Sequence, residues 1–318
     1  MNGGITVSQG YLCLCESGRT FQDCCLQPDG QVLTAPTNIE TPLPHTGVSN
    51  PNCYAAPLAD CSHTMSREHY VSESFLRCIK REGPVMVGGM SWLPPGQKKD
   101  LPTRALTAKI LCDRHNAALA PLDTVAKRLC QTMFRASDQD ANAPVLADQE
   151  SWEVFFNGYD IERWMLKVLC GVLISGGAIR NGVAIRDWTP PEQLLGILFK
   201  NTAFPVGQGL YLRTIPGAEH DSNTHLACEP FISPASDVPP EMSGARVEIF
   251  GMPFYLLLTD ASSDLFGAGR KLFTYRPREI RFTFRKSATE QSVKILRLSW
   301  PPRTRKRIVE YNWGPRKY

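Results

Sequence analysis

Seven of the eleven cysteines in this 318-residue chain fall into two groups. The first is Cys13, Cys15, Cys24 and Cys25. Two close pairs separated by a short turn can surround one ion, and a closed four-sulfur set is the ligand chemistry of structural zinc. A segment that short buries no core of its own, so metal binding and folding are expected to be one event. Gly18 permits the turn between the pairs. The second group is Cys53, Cys61 and Cys112, joined by His115. Cys112 and His115 are three apart and can face one ion from the start of a helix, completing a Cys3His set. Between these ligands lie Glu68 and His69, and Asn116 follows His115 directly. A histidine titrates near neutrality and suits a general base. Glu68 could assist a metal or orient a neighbour.

The first run fits the pattern C-x-C-x-S-G-x5-C-C, with Ser17, Gly18 and aromatic Phe21 in place. It resembles the SEC-C motif. That resemblance covers under a tenth of the chain and implies structural zinc with a docking role toward a protein or ribosomal partner.

The second run resembles the HNH endonuclease family, whose ββα-metal core is often pinned by such a zinc in a treble-clef arrangement. Glu68-His69-Tyr70-Val71 matches the first part of the family pattern, and Leu111-Cys112-x2-His115-Asn116 the second. The resemblance implies that His69 is the general base activating water. It implies that Asn116 stands where a helix residue ligates a catalytic divalent ion (Mg2+, Mn2+ or Ni2+), and that the substrate is a nucleic acid, DNA in preference to RNA. The chain departs from the pattern in two places. The family's middle residue, usually Asn, has only Thr107 in its region, and the last position is Asn116 where His is commoner. Two readings therefore stand: a metal-dependent endonuclease of the kind found in phage defence, or a non-catalytic zinc adaptor.

Net charge is +4, but Arg270–Tyr318 carries 15 Lys or Arg against three acids, leaving the rest of the chain net acidic. Such asymmetry suits an anionic partner or a solvated basic end. Period-two alternation sets Arg281 and Arg285 on one strand face, with Phe282 and Phe284 on the other. Arg67 and the basic loop bearing Lys98 and Lys99 are further candidates for phosphate contact, as is the tail around residues 303–307. The hydrophobic fraction is 42%, ample for a core. No apolar run approaches membrane-spanning length, and no secretory leader is evident, so a cytoplasmic protein with reduced thiols and no membrane association is expected. The isolated Cys78, Cys130, Cys170 and Cys228 read as small buried apolar residues.

These patterns place the chain in the α+β class. The expected organisation is a small zinc motif (1–28), a Pro/Thr-rich linker (29–51), an HNH-like zinc module (52–135) and an α+β C-terminal domain with a basic end (136–318). Apolar residues at helical spacing predict a helix over about Ile161–Ile174. An ion pair of Glu162 with Arg163 or Lys167 is expected on its face. A second helix is expected after Thr189-Pro190-Pro191, capped by Thr189. From about residue 203, short β-branched and aromatic runs (Gly209–Arg213, Arg246–Phe250, Phe254–Leu258, Lys271–Tyr275, Glu279–Phe284 and Val293–Leu298) predict a mostly antiparallel β region packed on the helices.

Overall fold

The computed structural model of the chain describes residues 12–13, 15, 17–28, 32–80, 84–88, 90–94, 97–137, 152–180, 183–185, 188–213, 226–232, 242–259, 272–285, 291–302 and 307–313. The tip of the basic loop at Pro95-Gly96, the Arg285 side chain and tail residues 303–306 lie outside this set.

The order begins β1 (Met65–His69), α1 (Glu73–Lys80), β2 (Val85–Gly88), β3 (Lys98–Leu101), β4 (Thr107–Cys112) and α2 (Asp113–Ser137). It continues β5 (Trp152–Asn157), α3 (Gly158–Ile174), β6 (Ile179–Arg180), β7 (Val183–Ala184), α4 (Glu192–Phe199) and β8 (Gly209–Arg213). It ends β9 (Leu226–Ile232), β10 (Met242–Ile249), β11 (Met252–Leu257), β12 (Phe273–Tyr275), β13 (Glu279–Arg285), β14 (Gln291–Ser299) and β15 (Ile308–Trp313).

Helix α3 is the centre of the molecule. Every residue from Asp160 to Leu173 is buried, as expected of a helix that is apolar nearly all round. Its start is set by Asn157, whose side chain accepts from the Tyr159 N–H at 2.9 Å. Gly171 lets the chain just after β1 lie against the helix: a Cβ there would meet Tyr70 Cβ at 2.6 Å and its backbone at 2.8 Å.

Four charged residues on this buried helix each need a partner, and each finds one in a different part of the chain. Asp160 accepts from Thr37 N and Oγ1 at 3.0 and 2.6 Å and pairs with Arg163. Arg163 donates to Thr37 O at 2.8 Å and to Asn201 Oδ1 at 2.6 Å. Glu162 takes two hydrogen bonds from Arg276 at 2.8 and 2.9 Å and one from Leu210 N at 2.7 Å. Lys167 lies 2.8 Å from Glu68 and 2.7 Å from Asp123. The expected pairing of Glu162 with Arg163 or Lys167 on one helix face is therefore replaced by longer-range pairs, because that face is covered.

Around α3 are a five-stranded sheet, order β12-β8-β11-β10-β9, and a four-stranded sheet, order β15-β13-β14-β5. The first is antiparallel throughout. The second is mixed. β13 pairs antiparallel with β14, but β15 pairs parallel with β13, and β5 parallel with β14. β5 reaches β14 only after more than a hundred intervening residues, the long crossover that a parallel pair demands. Pro191 precedes α4 without any side-chain capping bond, so the expected Thr189 cap does not form.

One apolar core runs from Ile39 to Tyr311 and includes the metal-type residues Cys53, Cys61 and Cys112. Residues 32–51 form no regular element yet are tied down: Ile39 is buried, and Thr34 N donates to Ser299 Oγ at 3.0 Å. Cys130 and Cys170 are buried, and Cys78 and Cys228 half-buried. No helix among the described residues is long and apolar enough to cross a membrane.

Candidate metal centres and the ββα unit

The four ligand atoms of Cys53, Cys61, Cys112 and His115 all lie within 4.8 Å of one another, and all four residues are buried. Cys112 ends β4, and His115 sits in the first turn of α2. Cys53 and Cys61 flank a 3-10 turn at Ala56–Leu58. His115 Nδ1 faces the sulfurs of Cys112, Cys53 and Cys61 at 3.2, 3.6 and 3.7 Å. A tetrahedral zinc with ordinary bond lengths places S and N about 3.5 Å apart. The residues therefore fit a four-coordinate ion. Burial holds the His115 pKa down at about 4, which keeps the imidazole neutral and available as a ligand. Burial also opposes ionisation of Cys112, but hydrogen bonds from the His115 and Ser62 N–H groups outweigh it and lower that thiol's pKa. The His115 ring packs edge-on against Phe199, centroids 4.9 Å apart.

Cys13, Cys15, Cys24 and Cys25 form a second group within the same limit. Cys13 and Cys25 are buried, while Cys15 and Cys24 are half-buried with their sulfurs 3.4 Å apart. Ser17 Oγ lies 3.1 Å from Cys24 Sγ, and the Arg19 guanidinium donates to the same sulfur at 3.3 Å. Burial raises the Cys15 pKa, but the Ser17 hydroxyl and the neighbouring thiols outweigh it and bring it to about 7. The turn is closed by Cys13 N to Arg19 O at 2.7 Å, with Gly18 at φ 76°. This knuckle rests on the four-stranded sheet. Phe21 meets Phe155 of β5 at 6.0 Å, and Phe155 belongs to the knuckle's own small core with Cys13 and Cys25.

Strands β1 and β4 and helix α2, with α1, β2 and β3 inserted between the two strands, form a ββα unit beside the buried centre. β1 and β4 pair antiparallel, Met65 opposite Cys112 and His69 opposite Thr107, with an irregularity between Ser66 and Glu68. α2 follows β4 without a break. It runs 25 residues to Ser137 and contains Pro121, well beyond the helix opening legible around His115.

His69 is half-buried at the end of β1, and its Nε2 is buried without a hydrogen-bond partner. Burial lowers its pKa, partly offset by the nearby acids Glu73 and Asp123, so the ring is neutral at pH 7. Glu68 is buried and held by Lys167; burial raises its pKa, the ammonium opposing. Asn116 donates to Ser66 Oγ at 2.8 Å. The structure thus brings together the two ligand sets and sets His69 opposite Thr107, while Asn116 lies against Ser66, three residues before His69.

Asp123 and Lys167 complete the polar cluster behind His69. Lys167 was legible in principle: a lysine inside an all-apolar helix must be buried and therefore paired. Asp123 carries no comparable local signal. Of the expected phosphate contacts, Arg67, Lys98 and Lys99 are exposed, on β1 and β3. Arg281 is held at 2.9 Å by buried Glu279, which also pairs with Arg278 and Arg297, and lies 3.7 Å from Glu310.

Of the residues expected near a catalytic cation, Glu68 is held by the Lys167 ammonium, which Asp123 shares, whereas Asn116 gives Ser66 its amide N–H and not its Oδ1. Comparison with known protein families, with curated proteins and with solved structures gives no match to this chain.

Proposed function

We propose that both ligand groups hold zinc structurally, and that the ββα unit acts on nucleic acid as the hydrolytic module of an HNH-like endonuclease with a treble-clef zinc. DNA is the preferred substrate. The observation that carries this reading is His69. A neutral imidazole with an unpartnered Nε2, at a strand end beside a metal-pinned helix, has the chemistry of a general base; because that nitrogen is buried, this reading requires the site to open to admit the attacking water. Glu68, whose carboxylate is engaged by Lys167, acts in this reading as the residue that anchors the strand bearing the base. No step is assigned to a catalytic metal, since Glu68 is engaged by Lys167. Arg67, Lys98 and Lys99 would contact phosphates.

A second reading rests on that same engagement. With Glu68 held by Lys167 and the Asn116 amide N–H given to Ser66, the unit serves as a zinc-stabilised scaffold, and the chain is an adaptor whose SEC-C-like knuckle docks to a protein or ribosomal partner in the cytoplasm.

Incubating the zinc-loaded protein with plasmid DNA and Mg2+, Mn2+ or Ni2+ separates the two. The nuclease reading expects nicking that His69→Ala abolishes with zinc content unchanged. Cleavage surviving that substitution removes the mechanism. No cleavage at intact zinc content leaves the adaptor.

A further inference from the structure

A groove of about 500 Å³ runs between the four-cysteine knuckle and the flank of α2. It lies within the range of sites that bury small ligands. The knuckle supplies Arg19 to one wall; α2 supplies Lys127, Arg128 and Gln131 to the other. Arg19, Lys127 and Gln131 are exposed, and Arg128 is half-buried with its guanidinium stacked 4.3 Å over the Phe156 ring. Stacking orients the planar fork and lowers the entropy lost when it binds. The anionic lining groups are Asp160, whose carboxylate is already taken by Thr37 and Arg163, and the Cys15 and Cys24 sulfurs, which a bound metal would engage. Three cations from two separate elements thus converge on one cleft. Arg19 also donates to Cys24 Sγ, so the metal knuckle holds its wall in place.

The geometry points to this groove as a binding site for a phosphate-bearing ligand. Guanidinium forks and an ammonium set around amide and hydroxyl donors match the dense charge and many acceptors of a phosphate. The phosphate could be that of a free mononucleotide or of a nucleic-acid backbone. The inference does not rest on the hydrolytic reading, since His69 is not among the groove's lining residues; a chain with no nuclease activity would bind the same ligand.

The test titrates two fluorescent probes onto the intact, zinc-loaded chain, with binding read by anisotropy. One is an adenine mononucleotide, and the other a single-stranded oligonucleotide of about eight residues. At least one probe is expected to bind, and to lose affinity as salt rises. Lys127→Glu should weaken binding about tenfold or more, and Thr124→Trp, an exposed change on the groove's α2 wall, should block it. Both variants alter exposed helix positions, and unchanged zinc content and thermal unfolding verify their folds. Mononucleotide binding assigns a nucleotide site; oligonucleotide binding alone assigns a strand-backbone site. Failure of both probes to bind, or wild-type affinity in both variants, overturns the inference.

Discussion

Lys167 Nζ lies 2.8 Å from Glu68 Oε1. This bond joins the central helix to the strand that ends in His69, and Asp123 of α2 shares the same ammonium at 2.7 Å. Three elements thus meet at one buried cation. Lys167→Met should leave Glu68 buried and uncompensated, at a cost of about 3–5 kcal/mol. Urea unfolding measures that loss. The double variant Lys167→Met with Glu68→Gln should recover part of it, because the stranded charge is gone.

Two metal ions per chain are expected by elemental analysis. Cys112→Ser should reduce that to one and unfold the molecule broadly, because its sulfur belongs to the main apolar core. Cys24→Ser should also remove one ion but leave global unfolding nearly unchanged, since its knuckle has a separate small core. Equal destabilisation by the two substitutions would contradict this arrangement.

Asp60 supports the buried centre from the side. It accepts from Thr46 N at 2.9 Å and pairs with Arg114 of α2 at 2.9 Å. Burial raises its pKa, but the Thr41 and Thr46 hydrogen bonds and Arg114 outweigh that and hold it at about 2. A carboxylate with a depressed folded pKa stabilises above its unfolded value, near 3.8, and that stability is lost as pH falls toward 2. Asp60→Asn should lower stability at pH 7 and flatten the acid limb between pH 4 and 2. Acid titrations followed by circular dichroism give the comparison.

Gly171→Ala places a methyl group against the Tyr70 backbone at 2.8 Å. The main chain cannot yield as a flexible side chain would, so a loss of about 1–3 kcal/mol or more is expected. Thermal unfolding would show it. A neutral result would mean that the chain after β1 does not lie on α3.

Phe155→Ala removes the apolar seat of the knuckle. Hydrogen exchange should quicken at Cys13 and Cys25, whose amides bond to Arg19 O and Phe21 O, while zinc content stays at two ions. Unchanged exchange would show the knuckle to be held by its metal alone.

Much of the candidate site is legible in residue types and spacing. Cys13, Cys15, Cys24 and Cys25 announce themselves because a short turn forces them together. Cys112 and His115 do so because a helix start brings residues three apart onto one side. Alternation and turn residues located β8, β10, β11, β12, β13 and β14. Strands β5, β9 and β15 escaped notice. β5 follows an unpatterned polar stretch, and β9 carries Pro230 inside an edge strand. Thr189 looked like a cap, but the helix starts at Glu192, after Pro191.

Short-range chemistry therefore came from residue types and spacing alone: two ligand sets, a histidine between them and a helix over about 161–174. The partners of Asp160, Glu162, Arg163 and Lys167 needed the tertiary structure. Glu162 and Arg276 stand 114 residues apart, and any of several cations would have satisfied the same local pattern. Which one does is decided by which backbone reaches the helix, and that follows from packing the whole core. The same holds for Arg281, which reads as a free cation in its strand and is held by Glu279 and Glu310 in the sheet. Charge is written residue by residue, but neutralisation is settled only when the chain has closed on itself.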